Sequence, residues 1–306
     1  LSIIDLSQNA MQPMASDEHG TMILFNGEIY NHRDLRKKLE SKNIRFKTSH
    51  SDTELLLLGL SEFGLSFLNE IVGQFAIAFI NFKLKKLILI RDRIGQKPLF
   101  YSPGKSKILF SSNLKSILKY EDKKRIDLKA INNYLNFGVI PSPQTLYENI
   151  FKLEPGSYLE IDLSKDSIVP KVEKYWDPKT FLNDNKFEKE IYFELFHNSV
   201  SDRLESDVPV ASFLSGGIDS TSIIKSLYDH GHKQINTFSV VNKEEKYDES
   251  KWINKVVQNY ETNHISTELN GDFDNGDILE SINTFDEPYA DPSTVPSYLL
   301  NKLISE

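Results

Sequence analysis

Val208-Pro209-Val210-Ala211-Ser212-Phe213-Leu214-Ser215-Gly216-Gly217-Ile218-Asp219-Ser220 reads as an apolar strand that runs into a helix start through two glycines. At such a turn the free backbone N–H groups and the helix N-terminus point at one place, which favours a bound anionic phosphate. Gly216 and Gly217 let the backbone come close to phosphate oxygens, and Ser215 and Ser220 add hydroxyl donors. Asp219 would repel phosphate directly, so its role there is to hold Mg²⁺ that bridges the phosphate oxygens. The competing reading is a plain helix cap, because Ser, Gly and Asp are all common at helix starts. The GxxxxGK(S/T) pattern is absent, which excludes a kinase-type P-loop.

Outward from this turn the pattern alternates. Strands are predicted at Val208 to Leu214, Ile235 to Val241 and His264 to Leu269, and helices at Ser220 to His230 and Glu249 to Tyr260. That alternation predicts an α/β doubly wound parallel sheet. A long helix is expected at Phe187 to Arg203, after a loop at Asn183-Asp184-Asn185. The composition shifts after Tyr175-Trp176, and the domain boundary is placed near 176.

The first half reads differently. A strand at Thr21 to Phe25 leads into a turn at Asn26, followed by a helix from His32 to Lys42 with Asn31 as cap. A second helix spans Asp52 to Phe63 with Gly64 as its stop, and a third runs from Asp127 to Phe137 before Gly138. Hairpins are predicted at Phe75 to Phe82 with Leu87 to Ile90, and at Leu99 to Ser102 with Ile108 to Ser111. Strand pairs with helices outside them predict an α+β sandwich.

The 306 residues suffice for two domains, and an apolar fraction of 39% is that of a globular chain. Lys and Arg number 36 against 44 Asp and Glu, a net charge of −8, which argues against a mainly electrostatic nucleic-acid binder. Lys123-Lys124-Arg125 reads as a solvated loop. No cysteine is present, so the chain supplies no disulfide, thiolate metal site or cysteine nucleophile. No apolar run reaches the ~18 residues of a membrane span. Leu1-Ser2-Ile3-Ile4-Asp5-Leu6 has no initiator Met and no signal-peptide pattern, so an interior segment of a cytoplasmic protein is expected. The seven histidines show no HExxH spacing, and His230 and His232 are placed at a helix end.

Asn26-Gly27-Glu28-Ile29-Tyr30-Asn31 carries the second constellation. An Asn side-chain amide beside a Gly N–H can converge on one developing negative oxygen, which makes an oxyanion hole. Glu28 and Asp52 could together receive an ammonium group; helix capping is the alternative for both, and Ser51-Asp52-Thr53-Glu54 reads well as a cap.

The SGGIDS string after its strand resembles the pyrophosphate loop of the ATP pyrophosphatase superfamily. That resemblance implies adenylation of a substrate, with Ser215, Gly216, Gly217, Asp219 and Ser220 on phosphates and metal, and Leu214 and Val240 against the nucleotide. NGEIYN, Ser51-Asp52-Thr53-Glu54, the Arg91 to Leu99 segment and the opening LSIIDLS resemble class II glutamine amidotransferase domains. In this order the two together are similar to the bacterial-type glutamine-hydrolysing asparagine synthetases.

The resemblance implies a four-layered α+β amidotransferase domain over residues 1–176 and an α/β ATP pyrophosphatase domain over residues 177–306, each expected to be truncated at its outer end. It implies ATP and Mg²⁺ as cofactors and glutamine and aspartate as small-molecule substrates, with no nucleic-acid or membrane partner and with a homodimer left open. It places Asn26 and Gly27 in the oxyanion hole, Glu28 and Asp52 on the amino group of glutamine, and Leu1, Ser2, Ile3 and Ile4 along the same pocket. Arg91 to Leu99 is given a bracing role with its charges paired. The family's nucleophile is an N-terminal cysteine, its arginine for the glutamine carboxylate would precede Leu1, and its second acidic phosphate motif would follow Glu306, so neither glutaminase nor full adenylation activity is expected of these residues alone. The alternatives are an amidotransferase for another carboxylate or sugar-linked acceptor, and an inactive nucleotide-binding homologue.

Overall fold

The computed structural model describes residues 3–121, 124–182, 187–242, 248–269 and 275–305. Leu1, Ser2, Lys123 and the loop at Asn183 to Asn185 lie outside the described residues. The chain divides into two compact units, Leu1–Asp184 and Asn185–Glu306.

In the first unit, β1 (Met14–Ser16), β2 (Thr21–Ile29), β3 (Gly73–Asn81), β4 (Lys86–Arg91), β8 (Ser157–Asp162) and β9 (Lys171–Lys174) form one sheet in that order, every pair antiparallel. A second antiparallel sheet has β5 (Phe100–Pro103) between β6 (Ile108–Ser111) and β7 (Phe151–Lys152). The helices are α1 (His32–Glu40), α2 (Asp52–Phe63), α3 (Leu114–Leu118) and α4 (Leu128–Phe137).

Strand alternation sorts the side chains of the large sheet. Ile23, Ile77 and Phe79 point to one face and pack with Leu35 and Leu39 of α1 and Leu55, Leu56, Leu57 and Leu60 of α2. Ala76 and Ala78 point to the other face and pack with Leu99 and Tyr101 at the second sheet. Phe100, from the far face of that sheet, packs with Leu114 and Ile117 of α3. The unbroken Leu55-Leu56-Leu57-Leu58 run fits because α2 is buried all round, and each buried leucine contributes about 1.5–3 kcal/mol.

The hairpins fall where they are expected to within two residues, and α2 spans the expected Asp52 to Phe63. Asn26 departs from expectation. Asn-Gly is a turn signal, yet both residues lie inside β2, with Asn26 opposite Ala76 and Gly27 opposite Phe75. Asn31 also makes no side-chain cap for α1. Its amide instead donates to Glu70 O at 2.8 Å and its Oδ1 accepts Val72 N–H at 3.0 Å, tying the end of β2 to the lead-in of β3.

In the second unit, β10 (Ser212–Phe213), β11 (Asn236–Asn242) and β12 (Asn263–Leu269) form a parallel sheet in sequence order. The helices are α5 (Lys189–Ser201), α6 (Ile218–Asp229), α7 (Ser250–Tyr260), α8 (Asn275–Thr284) and α9 (Thr294–Ser305). Leu214, Ile224 of α6, and Ile253 and Val256 of α7 share one core, as right-handed crossovers between consecutive parallel strands require. The expected strand from Val208 shrinks to Ser212–Phe213, because only those residues pair with β11. The order β10-β11-β12 contains no reversal, so the switch point of a doubly wound sheet does not occur among these described strands. Among the described residues no helix is long and apolar enough to cross a membrane.

Candidate functional site

The register of β2 determines what its backbone offers. Phe82 N–H donates to Gly20 O at 2.9 Å and Tyr30 N–H to Val72 O at 2.8 Å, so even-numbered residues of β2 bond to β3. Odd-numbered residues then direct their N–H groups to the opposite edge, where β1 covers only Thr21 to Ile23. Beyond β1, Phe25 N–H donates to the side-chain Oε1 of Gln12. Ile29 N–H donates to Asp52 Oδ2 at 3.2 Å. Gly27 N–H lies between them on the same edge, and no acceptor meets it among the described residues. On the other side its partner Phe75 is occupied by Asp92, which accepts Phe75 N–H at 3.1 Å and donates its own N–H to Phe75 O at 2.9 Å.

Gly27 has φ +154°, and a Cβ there would sit 2.0 Å from Gln74 O and 2.7 Å from Phe75 Cα. Only glycine allows β2 and β3 to approach this closely. Asn26, half-buried, shares the wall of a cavity of ≈ 380 Å³ with Gln12, Phe25 and Ala76. One free N–H and one amide side chain thus sit on adjacent residues at an open strand edge, the donor pair that an oxyanion needs.

Asp52 begins α2, but Ser51 rather than Asp52 caps it, with Ser51 Oγ accepting Glu54 N–H at 3.4 Å. Asp52 is 4% exposed. Burial is the main force on its carboxyl, opposed by the Ile29 and nearby backbone N–H groups and reinforced by the charge of Glu28, and together they push its pKa up to about 7. Glu28, also buried, is therefore in electrostatic reach of Asp52. An arriving ammonium group would relieve both carboxylates. Ile4 is buried and Ile3 is 36% exposed.

The Arg91 to Leu99 segment braces this region through backbone groups rather than ion pairs. Asp92 accepts N–H groups from Phe75, Ile94, Gln96 and Lys97. Arg91 donates to the carbonyls of Gly95, Lys97 and Leu153, and burial lowers its pKa. Gln12 carries no sequence motif; it lies before Pro13, and β1 begins only at Met14.

In the second unit the turn between β10 and α6 is folded as a loop over the helix start. Gly216 has φ +74°, and a Cβ there would lie 2.9 Å from Trp252 Cβ and 3.0 Å from Ile253 N, so the loop lies directly on α7. Ser215 Oγ and Ser220 Oγ are 3.1 Å apart, and Gly217 N–H donates to Ser215 Oγ at 3.3 Å. Asp219 is exposed in the first turn of α6. A cavity of ≈ 310 Å³ opens beside Gly216 and Gly217, with Thr221, Trp252 and Lys255 on its wall.

Leu214 and Val240 lie on neighbouring chain segments, but the Leu214 side chain belongs to the helix-side core. Its N–H donates to Phe238 O at 2.8 Å and its carbonyl accepts Ser239 Oγ–H. Val240 lies within β11 and is half-buried. Among the described residues no group of three or more His, Asp or Glu could hold a metal ion. A single exposed carboxylate fits a Mg²⁺ that travels on nucleotide phosphates and keeps its waters, rather than one held in a protein cage. His230 Nδ1 lies 2.8 Å from Ser226 O, a helix-end contact. A mainly apolar cavity of ≈ 330 Å³ lies between α5 and α6, with Phe196, Val200 and Leu227 on its wall beside Ser199, Arg203 and Ser212.

Residues 1–176 match the family described as glutamine amidotransferase domain, and residues 192–306 match the family described as asparagine synthase. Asparagine synthetase [glutamine-hydrolyzing] 1 of Bacillus subtilis (strain 168) is 33% identical over 302 residues, covering 99% of this chain and 47% of that protein. Asparagine synthetase [glutamine-hydrolyzing] 3 of the same organism is 33% identical over 284 residues, covering 86% of this chain and 45% of that protein. The chain spans about half the length of these relatives.

Proposed function

This chain belongs to the glutamine amidotransferase family, and on that premise we propose that it carries out part of glutamine-dependent asparagine synthesis. The observation that carries the reading is the edge of β2, where Asn26 and the Gly27 N–H lie beside the Asp52 carboxylate. Glutamine binds with its amide oxygen toward Asn26 and Gly27 and its amino group toward Glu28 and Asp52. Hydrolysis of the amide gives glutamate and ammonia; the tetrahedral oxyanion is where the two donors act. The attacking group is not supplied by these 306 residues, which contain no cysteine.

In the second unit, ATP places its phosphates on the Ser215 to Ser220 loop. The aspartate β-carboxylate attacks the α-phosphate and pyrophosphate leaves; ammonia then displaces AMP from the acyl adenylate to give asparagine. Adenylation is required because a carboxylate has no good leaving group. Asp219 would hold Mg²⁺ carried by the nucleotide, which would there neutralise phosphate charge. Leu214, with its side chain in the core, and Val240 border the nucleotide. The four-layered sandwich, the doubly wound sheet, the division at residues 1–176 and 177–306 and a cytoplasmic location belong to this proposal, with a homodimer left open. The helix-sheet-sheet-helix packing order supports the first; the parallel β10-β11-β12 sheet supports an α/β second unit, and the reversal of a doubly wound sheet is not among its described strands.

Incubation of the purified 306-residue chain with L-glutamine tests the first half-reaction. Saturable binding without glutamate release is expected; steady glutamate release would overturn the assignment of the nucleophile to a cysteine.

A further inference from the structure

Resting on the glutamine reading above, we propose that Gln12 is a positioning residue that keeps the oxyanion donor Gly27 N–H open by replacing the edge strand with a side chain. Pairing between β1 and β2 ends at Met14 opposite Ile23. Continuing that register by two residues would bring the Gln12 backbone opposite Phe25, and by four would bring a further residue opposite Gly27, where its carbonyl would take the Gly27 N–H. The strand β1 begins only at Met14, after Pro13. Gln12 Oε1 then takes the Phe25 N–H that a continued strand would have taken.

The consequence, among the described residues, is a strand edge with one open donor. Phe25 N–H is satisfied by Gln12 and Ile29 N–H by Asp52. Gly27 N–H, midway between them, is left for a ligand oxygen. An unpaired exposed edge recruits any passing strand; closing the two flanking donors with side-chain acceptors leaves a gap one residue wide, suited to a single carbonyl oxygen. Gln12 also shares a cavity wall with Asn26, so the residue that closes the edge borders the site of the second donor. Gln12 makes no contact with the reacting atoms in this scheme. It acts by fixing the backbone immediately before Asn26.

Backbone amide exchange followed by NMR on the ¹⁵N-labelled 306-residue chain tests the arrangement without any ligand. Slow exchange is expected at Phe25 and Ile29 and fast exchange at Gly27; equal protection at Gly27 and Phe25 would overturn the proposal. Gln12→Leu should speed exchange at Phe25 while leaving Ile23 protected, and should weaken L-glutamine binding about fivefold, the worth of one hydrogen bond. Gln12→Glu, which retains an acceptor, should restore both. A purely structural role would lower stability with glutamine affinity unchanged and would overturn the proposal. If the exchange pattern is as expected but L-glutamine leaves the Gly27 amide unaffected in the unsubstituted chain, the glutamine reading fails and takes the ligand of this edge with it, while the edge geometry stands.

Discussion

Asp52 Oδ2 accepts the backbone N–H of Ile29 at 3.2 Å, so a buried carboxyl from the first turn of α2 closes the edge of β2 two residues beyond Gly27. The bond accounts for part of the position of Asp52, but not for its charge. Burial pushes the carboxyl up to about 7, against the usual 3.8. Between these values the native state binds a proton that the unfolded state has released, so stability falls as pH rises through this window and the loss is complete above about 7. Asp52→Asn should match the parent at pH below 3.8 and exceed it above 7 by up to about 4 kcal/mol. Denaturant titrations of both proteins across that range check the difference.

Glutamine binding should carry the opposite sign. A cationic amino group favours the ionised carboxylate, so binding at a pH below about 7 expels a proton from Asp52. Affinity should rise with pH up to that value and level off above it. Calorimetry in buffers of different ionisation enthalpy reads the released proton directly.

Gly27→Ala should cost about 3–5 kcal/mol, because the new Cβ would meet Gln74 O at 2.0 Å and neither strand can yield without disturbing the ladder. The thermal unfolding midpoint of the first unit measures it.

Asp92→Ala should destabilise by at least about 3 kcal/mol, since it leaves the N–H groups of Phe75, Ile94, Gln96 and Lys97 without their acceptor. Asp92→Asn, which keeps one acceptor oxygen, should recover part of the loss in the same denaturation assay.

In the second unit, Asp219→Ala should weaken MgATP binding while leaving nucleotide binding without Mg²⁺ less affected. Gly216→Ala should weaken both, because its Cβ would push the loop off Trp252. Equilibrium dialysis with and without Mg²⁺ separates the two effects.

Local signals located most elements. The Ser51 cap, the leucine run and Gly64 mark α2 to the residue, and Asp127 and Gly138 bound α4 equally well. The Asn26-Gly27 pair misleads because its turn propensity is local, whereas its strand conformation is imposed by pairing with Ala76 and Phe75, some 50 residues away. The chemistry of Asn26 and Gly27 could be read from residue type; the open N–H could not, since it depends on strand register and on where β1 stops. The strand expected from Val208 failed for a related reason, as apolar character without a paired neighbour gives no ladder. β8 was not anticipated, although its alternating buried Ser157, Leu159 and Ile161 form a period-two pattern.

Isothermal titration of L-glutamine into the 306-residue chain at about pH 8, above the Asp52 pKa, reads binding at the β2 edge with that carboxyl ionised. Saturable 1:1 binding is expected, and Asn26→Ala should weaken it about tenfold, the loss of one well-placed donor. Absence of binding, or binding that Asn26→Ala leaves unchanged, would contradict the glutamine reading.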